Sequence, residues 1–365
     1  MKKSTVIPIL VLACGLALCG CKKEQKDLYT LSNGAGMTVT VTPIGARITS
    51  VLVPDRDGNL KDVVLGFDDP KSYLPENNQS DFGAAIGRYA NRIKDGHIEI
   101  DGKAYQLPRN NFGHCLHGGP TGWQYSVYKV VKSDRKSIKL QVDSPDGDNN
   151  FPGNVTACVT YTLTDDNRID IRYEAVTDAP TVINMTNHSY FNLNGDPDMT
   201  IENHILTINA DGFTPVDSTY MTSGEILPVE GTPMDFRQGV EVARDVDNFD
   251  FTQIRYGNGF DHNWCLNTYR DGKGDDTVAA ASIYSPATGI FMEVYTDEPG
   301  IQVYSGNFLD GTVTGKGGKV YRKHAAICLE TQKYPDTPNK PQWPSALLRP
   351  GEKYTSHCVF AFSTK

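Results

Sequence analysis

Period-two alternation of apolar and polar residues recurs along the chain, and helical periodicity is scarce. Residues 37–42 read MTVTVT, 137–142 SIKLQV, 155–164 VTACVTYTLT and 168–174 RIDIRYE. Each run has the alternation and the β-branched or aromatic content of a half-buried strand. Turn sequences separate them, among them Asp57-Gly58-Asn59, Asp101-Gly102, Asp146-Gly147-Asp148-Asn149 and Asn194-Gly195-Asp196. Many short strands with no 12-residue amphipathic run predict an all-β chain built as a large antiparallel β-sandwich with few short helices. No repeat at a fixed period points to a propeller or solenoid.

The first 20 residues do not fit this pattern. Lys2 and Lys3 precede an apolar stretch from Val6 to Leu18 that is too short to span a bilayer, and the segment closes on Leu18-Cys19-Gly20-Cys21. That tetrapeptide resembles a bacterial lipobox, which implies a signal peptide over residues 1–20, lipidation at Cys21 and a tether over 21–28. Cleavage as a plain secretory signal is the alternative, and either way the chain is exported. The expected location is the cell envelope, with the protein anchored at Cys21 and facing the periplasm or the cell surface.

With 34 Gly, 21 Pro, 18 Tyr and 39% hydrophobic residues, the 365-residue chain is globular and turn-rich. Removing residues 1–20 takes away two lysines and no acid, leaving 33 basic and 44 acidic residues, a net −11. Such a surface is a poor partner for nucleic acid, which requires clustered Lys and Arg. Once Cys21 is set aside, five scattered cysteines remain (Cys115, Cys158, Cys265, Cys328, Cys358). This odd set is no disulfide framework, although an isolated bridge stays open.

Two segments suggest metal ligands at first sight. Asp55-Arg56-Asp57-Gly58-Asn59 opens like a calcium loop, but its twelfth position is Gly66 instead of a bidentate Glu, so it reads as a hairpin turn. In His114-Cys115-Leu116-His117 an extended chain would point His114 and Cys115 to opposite faces, and no second close-spaced pair completes a tetrahedral set.

Several other segments mix polar groups with aromatics as a sugar site requires, since hydroxyls need directed donors and acceptors while the C–H face of the ring packs on a flat apolar surface. They are Gly87 to Ile93 (GRYANRI), the loop His117 to Trp123 (HGGPTGW), Gly259 to Trp264 (GFDHNW), and Glu330 to Asn339 (ETQKYPDTPN), where Glu330 ends the apolar strand 325–329 and faces either solvent or a cleft. His188 lies in NMTNHSYFNLNG, residues 184–195, whose end reads as a turn.

Taken together, GRYANRI (87–93), CLHGGPTGW (115–123), NMTNHSYFNL (184–193), GFDHNW (259–264), GIQVY (300–304), ETQKYPDTPN (330–339) and LRPGEKYTSHCVFAF (348–362) closely resemble the galactose mutarotase, or aldose 1-epimerase, family, in the family's order and across residues 29–365. The resemblance implies a galactose mutarotase-like supersandwich, with 29–365 as a single catalytic domain. It implies interconversion of the α and β anomers of aldohexoses such as galactose and glucose by acid/base ring opening and reclosure. His188 would protonate the ring oxygen and Glu330 would take the proton from the C1 hydroxyl. Asn91, Arg92, His117, Asp261 and Gln302 would position the substrate.

This chemistry asks for His188 protonated and Glu330 ionised, and it implies no cofactor and no metal. The expected partner is a small monosaccharide, with membrane contact only through the lipid anchor, in a monomer or homodimer. A non-catalytic sugar-binding lipoprotein is the main alternative. An epimerase of phosphorylated hexoses would require more basic residues than Arg88 and Arg92, and a metal-dependent hydrolase is a further rival.

Overall fold

The computed structural model describes Met1, residues 25–77 and residues 80–365. The expected signal peptide after Met1, the lipobox at Cys21 and the tether as far as residue 24 lie outside the described residues.

Among the described residues the largest sheet has nine antiparallel strands. Its order is Lys129–Ser133, Ser137–Ser144, Val155–Leu163, Arg168–Thr177, Tyr354–Thr364, Ile290–Thr296, Ala281–Tyr284, Ile205–Ile208 and Val240–Glu241. Three of the four alternating runs in the sequence fall here, and the fourth forms Thr38–Thr42 of a four-stranded sheet, because one face of these strands meets the core and the other meets water. Ile138, Tyr161, Ile171 and Cys358 stand opposite one another in a cross-strand row, and all four are buried.

A second sheet of six strands runs in the order Tyr190–Phe191, Ile327–Gln332, Gly300–Tyr304, Asp261–Leu266, Ala210–Thr214 and Leu227–Pro228. A third, of four strands, spans Tyr29–Ser32 to Leu60–Asp62. One apolar cluster joins all three, drawing Val39 and Ile48 from the third sheet, Val159 and Phe360 from the first, and Trp264, Ile301 and Leu329 from the second. This is the expected sandwich, and the described residues hold a single α-helix, Thr252–Gly257.

Local readings bear on the site as well. The Asp55 carboxylate accepts from the backbone N–H groups of Asp57 and Asn59 and closes the hairpin between Arg47–Pro54 and Leu60–Asp62. It is the turn that the sequence predicts. All five described cysteines are free.

The three central strands of the six-stranded sheet differ from those of the large sheet. Gly300–Tyr304 and Ile327–Gln332 are buried at every position, and Asp261–Leu266 at all but Cys265. Their apolar side chains pack into the core while the alternate ones face a pocket. Replacing Leu329, fully buried beneath that pocket, by Ala removes core volume under the site. The expected loss is about 2–5 kcal/mol of stability, read as a lowered urea midpoint with an unchanged slope.

Candidate active site

Strand register assembles one wall of the pocket. Asn263 pairs with Gln302, and Gln302 pairs with Glu330. The adjacent row on the same face is Asp261, Tyr304 and Cys328. Side chains two apart on a strand share a face, so Asp261, Gln302, Tyr304 and Glu330 all point into one cavity. Glu330 lies within Ile327–Gln332, so the strand runs three residues past the predicted end. Its carboxyl is buried and faces the cleft.

His188 arrives from the short strand Thr186–His188, paired with Ala84–Ile86. Two residues later the chain joins the six-stranded sheet, with Tyr190 opposite Cys328. This switch of sheets carries the imidazole over the edge of the polar wall, where Nε2 lies 3.5 Å from Glu330 Oε1. Tyr190 stacks on the ring at 5.0 Å, and His117 meets it edge-on at 5.3 Å. The Asn192 to Gly195 turn follows, closed by Gly195 N–H donating to the Asn192 carbonyl.

The opposite wall is Asn91, Arg92 and His117. Arg92–Ile93 pairs with Cys115–Leu116. Asn91 and His117 both adopt left-handed backbone, with φ of 66° and 51°, an uncommon conformation for residues other than glycine. The two support each other, because Asn91 N–H donates to His117 Nδ1 at 3.1 Å and His117 N–H donates to the Asn91 carbonyl at 3.2 Å. Since Nδ1 accepts, the neutral ring carries its proton on Nε2 and is a donor there. Arg92 Nε donates to Asn111 Oδ1 at 3.1 Å, its guanidinium lies over the Tyr220 ring, and Nη2 is 3.9 Å from Asp261 Oδ2. Asp261 Oδ1 accepts from Gln302 Nε2 at 2.6 Å.

All seven residues expected to act on substrate therefore line one pocket, which encloses about 590 Å³ including its open mouth. It also contains Asp81, Asn111, Tyr190, Tyr304 and Phe308, which the sequence reading missed. Tyr304 follows Gln302 by two in GIQVY, and the period of the strand is the signal that would have found it. Asp81 precedes the apolar run 82–86 and carries no comparable signal.

One expectation from the sequence fails. Trp123 offers no face to a ligand, because it is buried in the core against Gly87, where an added Cβ would lie 2.1 Å from the indole. His114 turns away from the pocket and is spent on structure, accepting from Asp95 N–H and bonding Thr219 Oγ1. Arg88 is structural too, donating to carbonyls of Ser144, Pro145, Pro152 and Gly153.

The family model for aldose 1-epimerase matches residues 27–361. The chain belongs to the aldose 1-epimerase family. It is 43% identical over 327 residues to the galactose mutarotase of Rattus norvegicus, covering 90% of this chain and 91% of that one. The aldose 1-epimerase of Escherichia coli (strain K12) is 39% identical over 338 residues, covering 92% and 94%. Among solved structures, a GalM/aldose epimerase homologue from C. elegans is similar with a TM-score of 0.84 at 32% identity, covering 92% of this chain and 98% of that one.

In this member of the aldose 1-epimerase family, burial dominates the electrostatics of the pocket. Desolvation pulls the His188 imidazole down to about 3 and the His117 imidazole well below its ordinary value, the latter helped by His188 and Arg92. It pushes the Glu330 carboxyl well above the usual carboxylate range, with Asp261 and Asp81 adding to the rise and Arg92 opposing it. Asp81 is raised to about 6 by burial against the pull of Arg47.

Burial thus works against the protonated His188 and ionised Glu330 that the chemistry asks for, favouring the neutral imidazole and the protonated carboxyl in the free pocket. Both arrangements contain one acidic proton between the pair, so they differ only by its transfer across the 3.5 Å contact. His188 Nδ1, Glu330 Oε2 and Gln302 Oε1 are buried without hydrogen-bond partners, which marks them for groups of a ligand. A depressed pKa keeps an imidazole neutral below its ordinary value. Nitrogen NMR of labelled histidine is therefore expected to show His188 and His117 neutral from about pH 8 down to about pH 5, where an exposed histidine charges near 6.5.

Proposed function

We propose that the protein is an aldose 1-epimerase that interconverts the α and β anomers of aldohexoses such as galactose and glucose. The observation that carries this reading is the His188–Glu330 pair, 3.5 Å apart, in a pocket walled by Asn91, Arg92, His117, Asp261 and Gln302, in a chain of this family. Ring opening breaks the C1–O5 bond while one proton reaches O5 and another leaves the C1 hydroxyl, so it needs a donor and an acceptor on opposite sides of one bond. His188 delivers the proton to O5 and Glu330 accepts the one from O1. After rotation about C1–C2, the reverse transfers close the ring on the other face of the aldehyde.

Turnover needs His188 protonated and Glu330 ionised, the forms that burial disfavours in the free pocket. A sugar hydroxyl donating to the unpartnered Oε2 favours the carboxylate. Arg92 supplies several fixed donors, Asp261 accepts from adjacent hydroxyls, and His117 donates from Nε2. Tyr304 and the half-exposed Phe308, stacked on each other at the pocket, give an apolar face for the ring.

Polarimetry of freshly dissolved α-D-galactose and α-D-glucose tests the reading. Wild type is expected to accelerate the approach to anomeric equilibrium, while His188→Asn and Glu330→Gln each lose about 10²- to 10⁴-fold in kcat. No acceleration with any aldose, combined with retained sugar binding, would make the protein a non-catalytic sugar binder.

The Leu18-Cys19-Gly20-Cys21 sequence supports export and lipidation at Cys21, which would place the enzyme in the cell envelope and expose it to imported sugar. Cys21→Ala is expected to move the protein from the membrane to the soluble fraction after lysis. Retention of the variant on the membrane would remove the anchor from this account.

A further inference from the structure

We propose that the pocket also holds a site for a zinc-class divalent metal, formed by His188, Cys328 and Glu330, whose occupation shuts the acid/base pair off from substrate. The proposal rests on the reading of His188 and Glu330 as the reacting groups, but Cys328 has no part in that chemistry.

The ligand atoms of the three residues lie within 4.8 Å of one another, and all three residues are buried. Their proximity follows from the fold. Cys328 and Glu330 are two apart on Ile327–Gln332 and share its pocket face, while the Tyr190–Cys328 pairing draws His188 over the same spot. Tetrahedral coordination at zinc bond lengths needs donor atoms roughly 3.3–3.6 Å apart. His188 Nε2 and Glu330 Oε1 stand at 3.5 Å already, so only the thiol has to swing inward. Glu330 Oε2 is free of protein hydrogen bonds, so no protein group competes for the carboxylate's second oxygen.

The donor set is the one zinc selects. An imidazole, a thiolate and a carboxylate provide three protein ligands and leave the fourth position open to the cavity, and the sulfur disfavours magnesium and calcium. Charge also balances. Bound to the ion, the imidazole is neutral and the thiolate and carboxylate carry one negative charge each, any proton they held passing to solvent. One dication then meets two anions, and a buried pocket gains no net charge. Asp81 and Asp261 nearby favour the cation and Arg92 opposes it. No atom changes oxidation state.

Another cluster among the described residues, Glu202, Asp247 and His324, offers no sulfur, and Lys323 already pairs with Asp247 at 2.8 Å. It serves as the internal comparison.

The test titrates the full chain with metal in the absence of sugar, so that it does not depend on turnover. Zinc is followed by calorimetry in two buffers, and cobalt(II) by the near-ultraviolet absorption that a bound thiolate produces. The expected result is one ion per chain, proton release on binding and a thiolate band. In the same protein, zinc is expected to suppress mutarotation, and a chelator to restore it. Cys328→Ser is expected to lose the band and to bind zinc about 10-fold or more weakly, while still turning over sugar in metal-free buffer.

Absence of the band in the wild type, or zinc binding unchanged in Cys328→Ser, would put the metal elsewhere and overturn the proposal. Should Cys328→Ser fail to fold, His188→Asn takes its place, and zinc binding unchanged in that variant would overturn the proposal. A chain that binds cobalt through thiolate yet shows no mutarotation would keep the metal site and lose the enzymatic reading. A chain that turns over sugar without binding metal would do the reverse.

Discussion

Everything at the site depends on the register of three neighbouring strands buried on both faces. Because side chains alternate with a period of two, aligning Asn263, Gln302 and Glu330 in one row sets Trp264, Ile301 and Thr331 in the next. A slip of one residue would push the polar row into the apolar core and expose the apolar row to the cavity. The cost of burying unpaired carboxyl and amide groups in that core makes the correct register far more stable than its neighbours. The same force that folds the sheet therefore fixes the geometry of the site.

Low dielectric is the second consequence of that burial. In water a carboxyl would be ionised at neutral pH and an imidazole would titrate near 6.5. Enclosed in this pocket both are pulled toward their uncharged forms. The free site thus avoids separated charge until a ligand brings its own dipoles, and the energy of the proton's position becomes sensitive to what is bound. Arg92 and Asp261, 3.9 Å apart, form the one close pair of opposite formal charges across the two walls, and they too lie at the substrate's place instead of in the core.

Legibility in the sequence followed solvent exposure. The strands Val155–Leu163 and Arg168–Thr177 alternate visibly because water touches one of their faces, and their predicted and observed bounds differ by three residues at most. Glu330-Thr331-Gln332 reads as the polar end of a strand, because the sequence does not show that a buried pocket lies on that side. The seven residues expected to act on substrate were read through motifs that resemble a known family, and the fold gathers all seven around one cavity. Asp81 and the true place of Trp123 escaped, since each is decided by a long-range contact. Asp81 is held near Arg47 and the pocket, and the indole fills the space that the missing side chain of Gly87 leaves.

Asn91 and His117 have a further implication. Each holds the other's left-handed backbone through a reciprocal bond, one end of it a ring nitrogen. Neither conformation is favourable alone, so a change at one position removes the support of the other and gains nothing unless both change together. In evolutionary terms the two behave as a single heritable unit. Divergence among related chains should leave this pair intact or replace it as a whole, and a site grafted with only one of them would inherit the strain without the brace.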